Sequence, residues 1–103
     1  TDWHGSNIDV SSVLMPKEFI LQPSYPNPFN PVTNINFALP ENSKVLIQIY
    51  NLQGKVIETL VNENMHAGYQ SVIWNADEFG SGLYFIQIIA GEYIKTQKLM
   101  LVK

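Results

Sequence analysis

From residue 18 onward, apolar residues recur at every second position. Ile35, Phe37 and Leu39 share one face of Thr33 to Leu39, with Asn34 and Asn36 on the other. Val45, Ile47 and Ile49 repeat the pattern in Lys44 to Tyr50, and Val72 and Trp74 are in phase in Tyr69 to Trp74. This period of two is that of a β-strand with one buried face. Phe19-Ile20-Leu21 is a further short apolar run. Asn51-Leu52-Gln53-Gly54 has Gly at the last position of a tight turn, so Lys55 to Val61 is expected as the returning strand. Leu83 to Ile89 is rich in aromatic and β-branched residues, which favour strands. Ala90-Gly91-Glu92 forms a short turn, and Tyr93 to Val102 is the last strand. The best helix candidate is Val56 to Met65, but its Val, Ile and Thr residues favour a strand.

The total is about seven strands, with turn signals every 8–12 residues or so after residue 40, a spacing that predicts a β-sandwich or small barrel. No internal repeat and no low-complexity run interrupts it. All six prolines lie within the first 40 residues, and every glycine except Gly5 lies beyond residue 50. The front is therefore expected to be stiff and the remainder punctuated by turns. Residues 1–17 read as a linker or the tail of a preceding domain, and 18–103 as the folded module. Trp3 and the apolar group Val13, Leu14 and Met15 stand out in the linker.

Composition narrows the function classes. The chain has 103 residues, 46% hydrophobic and 15% charged, which suits one domain with a real core and argues against disorder. No apolar run approaches the roughly 20 residues that span a bilayer, so no membrane insertion is expected. The net charge is −3, with lysine but no arginine, which argues against nucleic acid as a partner. The absence of Cys removes disulfides, zinc-thiolate sites and cysteine nucleophiles together.

The most unusual stretch is Tyr25-Pro26-Asn27-Pro28-Phe29-Asn30-Pro31. Its prolines, and their effect on each preceding residue, predict a backbone near polyproline II. Asn27 and Asn30 are expected to bond nearby backbone in tight turns. Phe29 is the one large apolar group and is expected to anchor the loop on the sandwich.

With its flanks, Leu21-Gln22-Pro23-Ser24-Tyr25-Pro26-Asn27-Pro28-Phe29-Asn30-Pro31 resembles the opening signature of C-terminal sorting domains of the type IX secretion system. Further segments agree in order: Ile49 to Val56 resembles the family's central hairpin, and Ala67 to Asn75 its Gly-to-Trp strand. Gly82-Leu83-Tyr84-Phe85 and Lys98-Leu99-Met100-Leu101-Val102-Lys103 resemble its later strand and its basic, aliphatic ending. The middle of the chain also resembles the Ig-like domain of flagellar hook-capping proteins; the proline signature and the Lys-ended strand favour the sorting domain. Many members carry Asp-Gly after the Trp, where this chain has Asn75-Ala76.

The resemblance implies an all-β, Ig-like sandwich of about seven antiparallel strands that is not an enzyme and needs no cofactor. It implies a monomeric module that an outer-membrane translocon recognises and a sorting protease removes from its parent, which is then secreted or held at the cell surface by way of the periplasm. It further implies a recognition surface on the last strand: Lys95, Lys98, Leu99, Met100, Leu101, Val102 and Lys103. As an edge strand it would offer unpaired N–H and C=O groups to strand addition, and its lysines would discourage aggregation. The protease is expected to cut within Thr1 to Lys17, where the chain is least structured. The alternative is a carbohydrate-binding or structural Ig-like accessory module of a secreted hydrolase.

Catalytic and metal chemistry finds little support. His4 and His66 lack the spacing of a zinc site. His4, Ser6 and Asp9 are close in sequence, but a triad needs fixed geometry. Asn75, Asp77, Glu78 and Gly80 suit a calcium loop in residue type, yet a turn with Asx bonding explains them equally. For sugar stacking, Tyr25, Tyr69 and Tyr93 are the aromatic residues expected to be exposed, whereas Trp74 and Phe85 are expected in the core.

Overall fold

The computed structural model describes residues 15–103. The expectations for residues 1–14, including Trp3, the His4/Ser6/Asp9 group and most of the linker, lie outside the described residues. Seven strands form two sheets: β1 (Ile20–Leu21), β2 (Val32–Leu39), β3 (Ser43–Tyr50), β4 (Val56–Met65), β5 (Gly68–Asn75), β6 (Gly82–Ala90) and β7 (Tyr93–Leu101). One sheet has the order β1-β2-β5 and the other β4-β3-β6-β7, with every neighbouring pair antiparallel. The fold is an all-β sandwich of the Ig-like kind, and Val56–Met65 is a strand, as its β-branched residues required.

The alternation in the sequence becomes the interior. Ile35, Phe37 and Leu39 of β2 face Val45, Ile47 and Ile49 of β3 and Ile86 and Ile88 of β6, all essentially inaccessible. Leu99 and Leu101 of β7 complete the interior on one side and Trp74 of β5 on another. Burying side chains of this kind is worth about 1.5–3 kcal/mol each. Phe85 corrects the expected pattern. The inward face of β6 carries Ile86, Ile88 and Ala90, so Phe85 points outward and is half-buried. It lines a shallow hollow of about 360 Å³ with Tyr50, Leu52, Gln87 and Thr96.

Beside that hollow a polar ladder crosses the outer face of the four-stranded sheet. Gln48 Nε2 donates to Thr59 Oγ1 (3.2 Å), and Gln87 Nε2 donates to Thr96 Oγ1 (3.3 Å). Tyr50 Oη lies 3.1 Å from Gln48 Oε1 and 3.2 Å from Gln87 Oε1, and gives its proton to one of them at a time.

The turns follow the local chemistry. Gly54 N donates to Asn51 O at 3.0 Å, and Gly54 has φ +84, a region that suits a residue without Cβ. The Asn51 side chain reinforces this turn by accepting from the N–H groups of Gln53 and Lys55, both at 3.0 Å.

Strand β4 departs from strict alternation because two register shifts occur against β3, between Ile47 and Gln48 and between Ile49 and Tyr50. Val61 pairs with Ile47 and Thr59 with Gln48, leaving Leu60 as the extra residue; Ile57 is the second. Each bulge rotates the strand. Ile57, Leu60, Val61 and Met65 all reach the core as a result. The same shift sets Glu58 opposite the buried Ile49, where its carboxylate accepts the Trp74 indole N–H at 2.9 Å.

Glu58→Ala would strand that buried donor. The expected loss is about 1–2 kcal/mol in urea unfolding, with Glu58→Gln retaining the acceptor and losing less than about 0.5 kcal/mol. Equal losses for the two variants would show that the carboxylate oxygen is not the partner that matters.

Candidate functional site

The site is built where the proline-rich loop meets β7, the last strand of its sheet. The loop is not an extended polyproline II segment. Its backbone bends at residues 26–28 and again at 30–31, between bridges at Tyr25 and Phe29, and the peptide bonds Tyr25-Pro26, Asn27-Pro28 and Asn30-Pro31 are cis. Tyr25 forms a bridge with Asn34, exchanging backbone bonds at 3.1 and 2.9 Å. Thr33, fully buried, donates its hydroxyl to Pro26 O at 2.7 Å. Phe29 does anchor the loop. It is 2% exposed, and its ring centroid lies 5.4 Å from that of Trp74.

Asn27 acts over long range rather than within its own turn. Its side-chain Nδ2 donates to Lys98 O, and its Oδ1 accepts from Met100 N, both at 3.0 Å. The carboxamide thus replaces one peptide unit of a neighbouring strand. Two residues on, the backbone takes over: Phe29 N donates to Met100 O and Val102 N donates to Phe29 O, each at 2.9 Å, in a parallel bridge between Phe29 and Leu101.

Side chains sew the earlier part of the seam. Leu21 N donates to the Tyr93 hydroxyl at 3.1 Å, and Ser24 Oγ donates to Gln97 Oε1 at 3.0 Å. Gln97 Nε2 donates to the carbonyls of Leu21 and Gln22. Residues 21–29 therefore run parallel to β7 along its outer edge, with a depression of about 280 Å³ between Pro23, Ser24, Asn27, Gln97 and Lys98.

This arrangement changes the picture of the last strand. Strand β7 is terminal in its sheet, but over Lys98 to Val102 most of its outward hydrogen-bonding groups already have partners. The side chains divide by alternation. Leu99 and Leu101 are in the core, at 0% and 1% exposure. Lys98, Met100 and Val102 face outward, and Lys95 is exposed nearer the start of the strand. Lys103, next to the strand, donates its N–H to Ser81 Oγ at 3.0 Å and its ammonium to Asp77 O at 2.5 Å.

Tyr93 and Gln97 are residues whose part in this seam sequence reasoning missed. Tyr93 was expected to be exposed; instead it is half-buried and stacks on Phe19 with centroids 5.5 Å apart. A polar residue on the Leu99/Leu101 side of β7 was the available signal for Gln97.

The other candidates have turn or core roles. Asn75 Oδ1 accepts from Asp77 N at 3.0 Å and Phe79 N donates to Ala76 O at 3.0 Å, an Asx-type turn. Among the described residues, no group of three or more His, Cys, Asp or Glu is arranged to hold a metal ion. Trp74 is wholly buried, so its ring is unavailable for sugar stacking; Tyr25 and Tyr69 are exposed, as expected.

A family model described as the secretion system C-terminal sorting domain matches residues 24–103. The chain belongs to this family. The match runs from the proline-rich loop through the last strand, so Asn27, Phe29 and all of β7 lie within it. The sorting domain is a C-terminal signal for type IX secretion, and it directs its parent to the cell surface or the medium. The family is one of sorting signals rather than catalysts. A search of curated proteins finds no match. Among the described residues, no helix is long and apolar enough to cross a membrane.

Proposed function

We propose that the sorting domain, residues 18–103, presents the outward face of β7 to the outer-membrane translocon as a surface of side chains. Lys98, Met100 and Val102 form its centre; Lys95, in phase with Leu99 and Leu101, and Lys103, tied to Ser81 and Asp77, are exposed charges beside this face rather than part of it. Leu99 and Leu101 act through the fold. The single observation that carries this reading is the alternation on β7. A Lys and two apolar side chains stand exposed in a row, although apolar exposure there brings the folded domain no benefit. The edge pairing by the loop favours reading of side chains over strand addition, because an added strand would have to displace existing bonds.

The domain works as a monomeric signal, without catalysis, cofactor, nucleic acid or membrane insertion. Its parent precedes residues 1–17, and a sorting protease cuts in that linker, ahead of the first strand.

The test uses the whole chain behind a periplasm-directed fluorescent protein in a bacterium with type IX secretion. The variant Lys98→Ser/Met100→Ser/Val102→Ser changes only outward positions, so it is expected to stay folded and lose less than about 1.5 kcal/mol. Its export is expected to fall at least about tenfold, as when the centre of a binding surface is removed. Wild-type export by the folded triple variant would refute the proposed face.

A further inference from the structure

We propose that Asn27 is a positioning residue for the sorting signal: its carboxamide, followed by the Phe29 backbone, clamps the outer edge of Lys98 to Val102 and holds the recognised face in register. The inference rests on the reading of β7 given above and adds the part that sets its geometry. A strand bonded along one edge frays past the last residue of its pairing, because each lost bond frees backbone entropy at little cost in packing. Strand β6 provides the inner edge, and its pairing stops at Gly82 with Leu101. Val102, which carries the last outward apolar side chain, lies beyond that pairing. Its amide is held by Phe29 O instead.

The clamp is specific in position and in chemistry. Four bonds fall on consecutive outward groups of β7: Lys98 O, Met100 N, Met100 O and Val102 N. Asn is suited to the first two because it has a donor and an acceptor on one rigid group, two bonds from the backbone. Asp accepts only, and Ala offers neither. Phe29 supplies the other two bonds and is fixed in place by burying its ring against Trp74. Asn27 itself is exposed, and its side-chain contacts in this seam are with the β7 backbone. Its removal therefore touches the clamp and leaves the core intact. The outward side chains remain free, so a partner meets Lys98, Met100 and Val102 at fixed strand spacing.

The experiment compares the full chain with Asn27→Ala, Asn27→Asp and a core control, Ile47→Val, which lowers stability away from the seam. In the isolated protein, amide exchange is measured by NMR. Asn27→Ala is expected to speed exchange at Met100 and Val102 by about tenfold or more while Ile86 and Ile88 change little, because local fraying exceeds global loss. Asn27→Asp is expected to fall between, keeping the Met100 bond and placing a charge against Lys98 O. In the export assay, Asn27→Ala is expected to reduce secretion at least about fivefold, while Ile47→Val, with a comparable or greater thermal loss, secretes like the wild type. Unchanged exchange at Met100 would overturn the clamp. So would wild-type secretion by Asn27→Ala, or an equal loss in the core control. If the wild-type fusion itself stays in the periplasm while a domain of known type IX dependence is exported, the sorting-surface reading fails and the inference with it, whatever the exchange data show.

Discussion

Trp74→Ala is expected to remove about 4 kcal/mol of stability, a large part of the 5–15 kcal/mol typical of a domain. Trp74 is fully buried between Phe29, Phe79 and Tyr84, at centroid distances of 5.4, 5.9 and 5.5 Å. It joins three parts of the chain: the proline-rich loop, the turn after β5, and the start of β6. Deleting it empties a space that neighbours on separate elements cannot all move to fill, and it also leaves the Glu58 carboxylate without its donor. With a urea slope near 1.3 kcal/mol/M for a domain of this size, the midpoint should fall by about 3 M. Trp74→Phe, which keeps an apolar ring and loses the N–H, should cost about half as much. A midpoint shift below about 1 M for the alanine variant, with an unchanged slope, would show that the cluster relaxes around the gap.

Removing Lys98 to Lys103 is expected to unfold the domain rather than simply strip a signal from it. The deletion takes Leu99 and Leu101, both fully buried, at about 2–5 kcal/mol each by the cost of truncating a core leucine. It also takes away the bonding partners of Asn27 and Phe29, so the loop loses its far anchor. The sum approaches or exceeds the whole stability expected of the domain. The truncated chain should lose amide dispersion in NMR and its cooperative unfolding transition. Should it keep both, β7 would be an appendage and the core would close without it. The prediction matters for function because failed export of such a truncation would not separate a missing signal from a missing fold. Substitution of Lys98, Met100 and Val102, which spares the two leucines, makes that separation.

The secondary structure was largely legible in the sequence because the cause is local. Alternation in Thr33 to Leu39 and Lys44 to Tyr50 needs only a pleated strand with one wet face. Asn51 to Gly54 needs only a turn whose last residue accepts positive φ. Legibility failed where two strands had to be known together. Strand β4 reads unevenly because its bulges are a property of its pairing with β3, and Phe85 looks like core until the phase of β6 is set by Ile86 and Ile88. The bends at residues 26–28, set by the bridges of Tyr25 to β2 and of Phe29 to β7, likewise left no mark that distinguished the loop from polyproline II.

The candidate site divides in the same way. By itself the sequence determined an all-β chain, a proline-rich loop anchored by Phe29, a Lys-ended final strand, and an ordered set of motifs shared with a family of sorting domains. These are carried by residue types at short spacing, where sterics and turn chemistry act within a few residues. Only the tertiary structure decided that Asn27 bonds to β7 instead of its own turn, that Tyr93 and Gln97 close the seam, and that Leu99 and Leu101 are core while Lys98, Met100 and Val102 are surface. The physical reason is that a hydrogen-bonding group is indifferent to sequence distance. Asn27 can satisfy its carboxamide locally or across the sandwich, and packing Phe29 against Trp74 brings the far partner within reach.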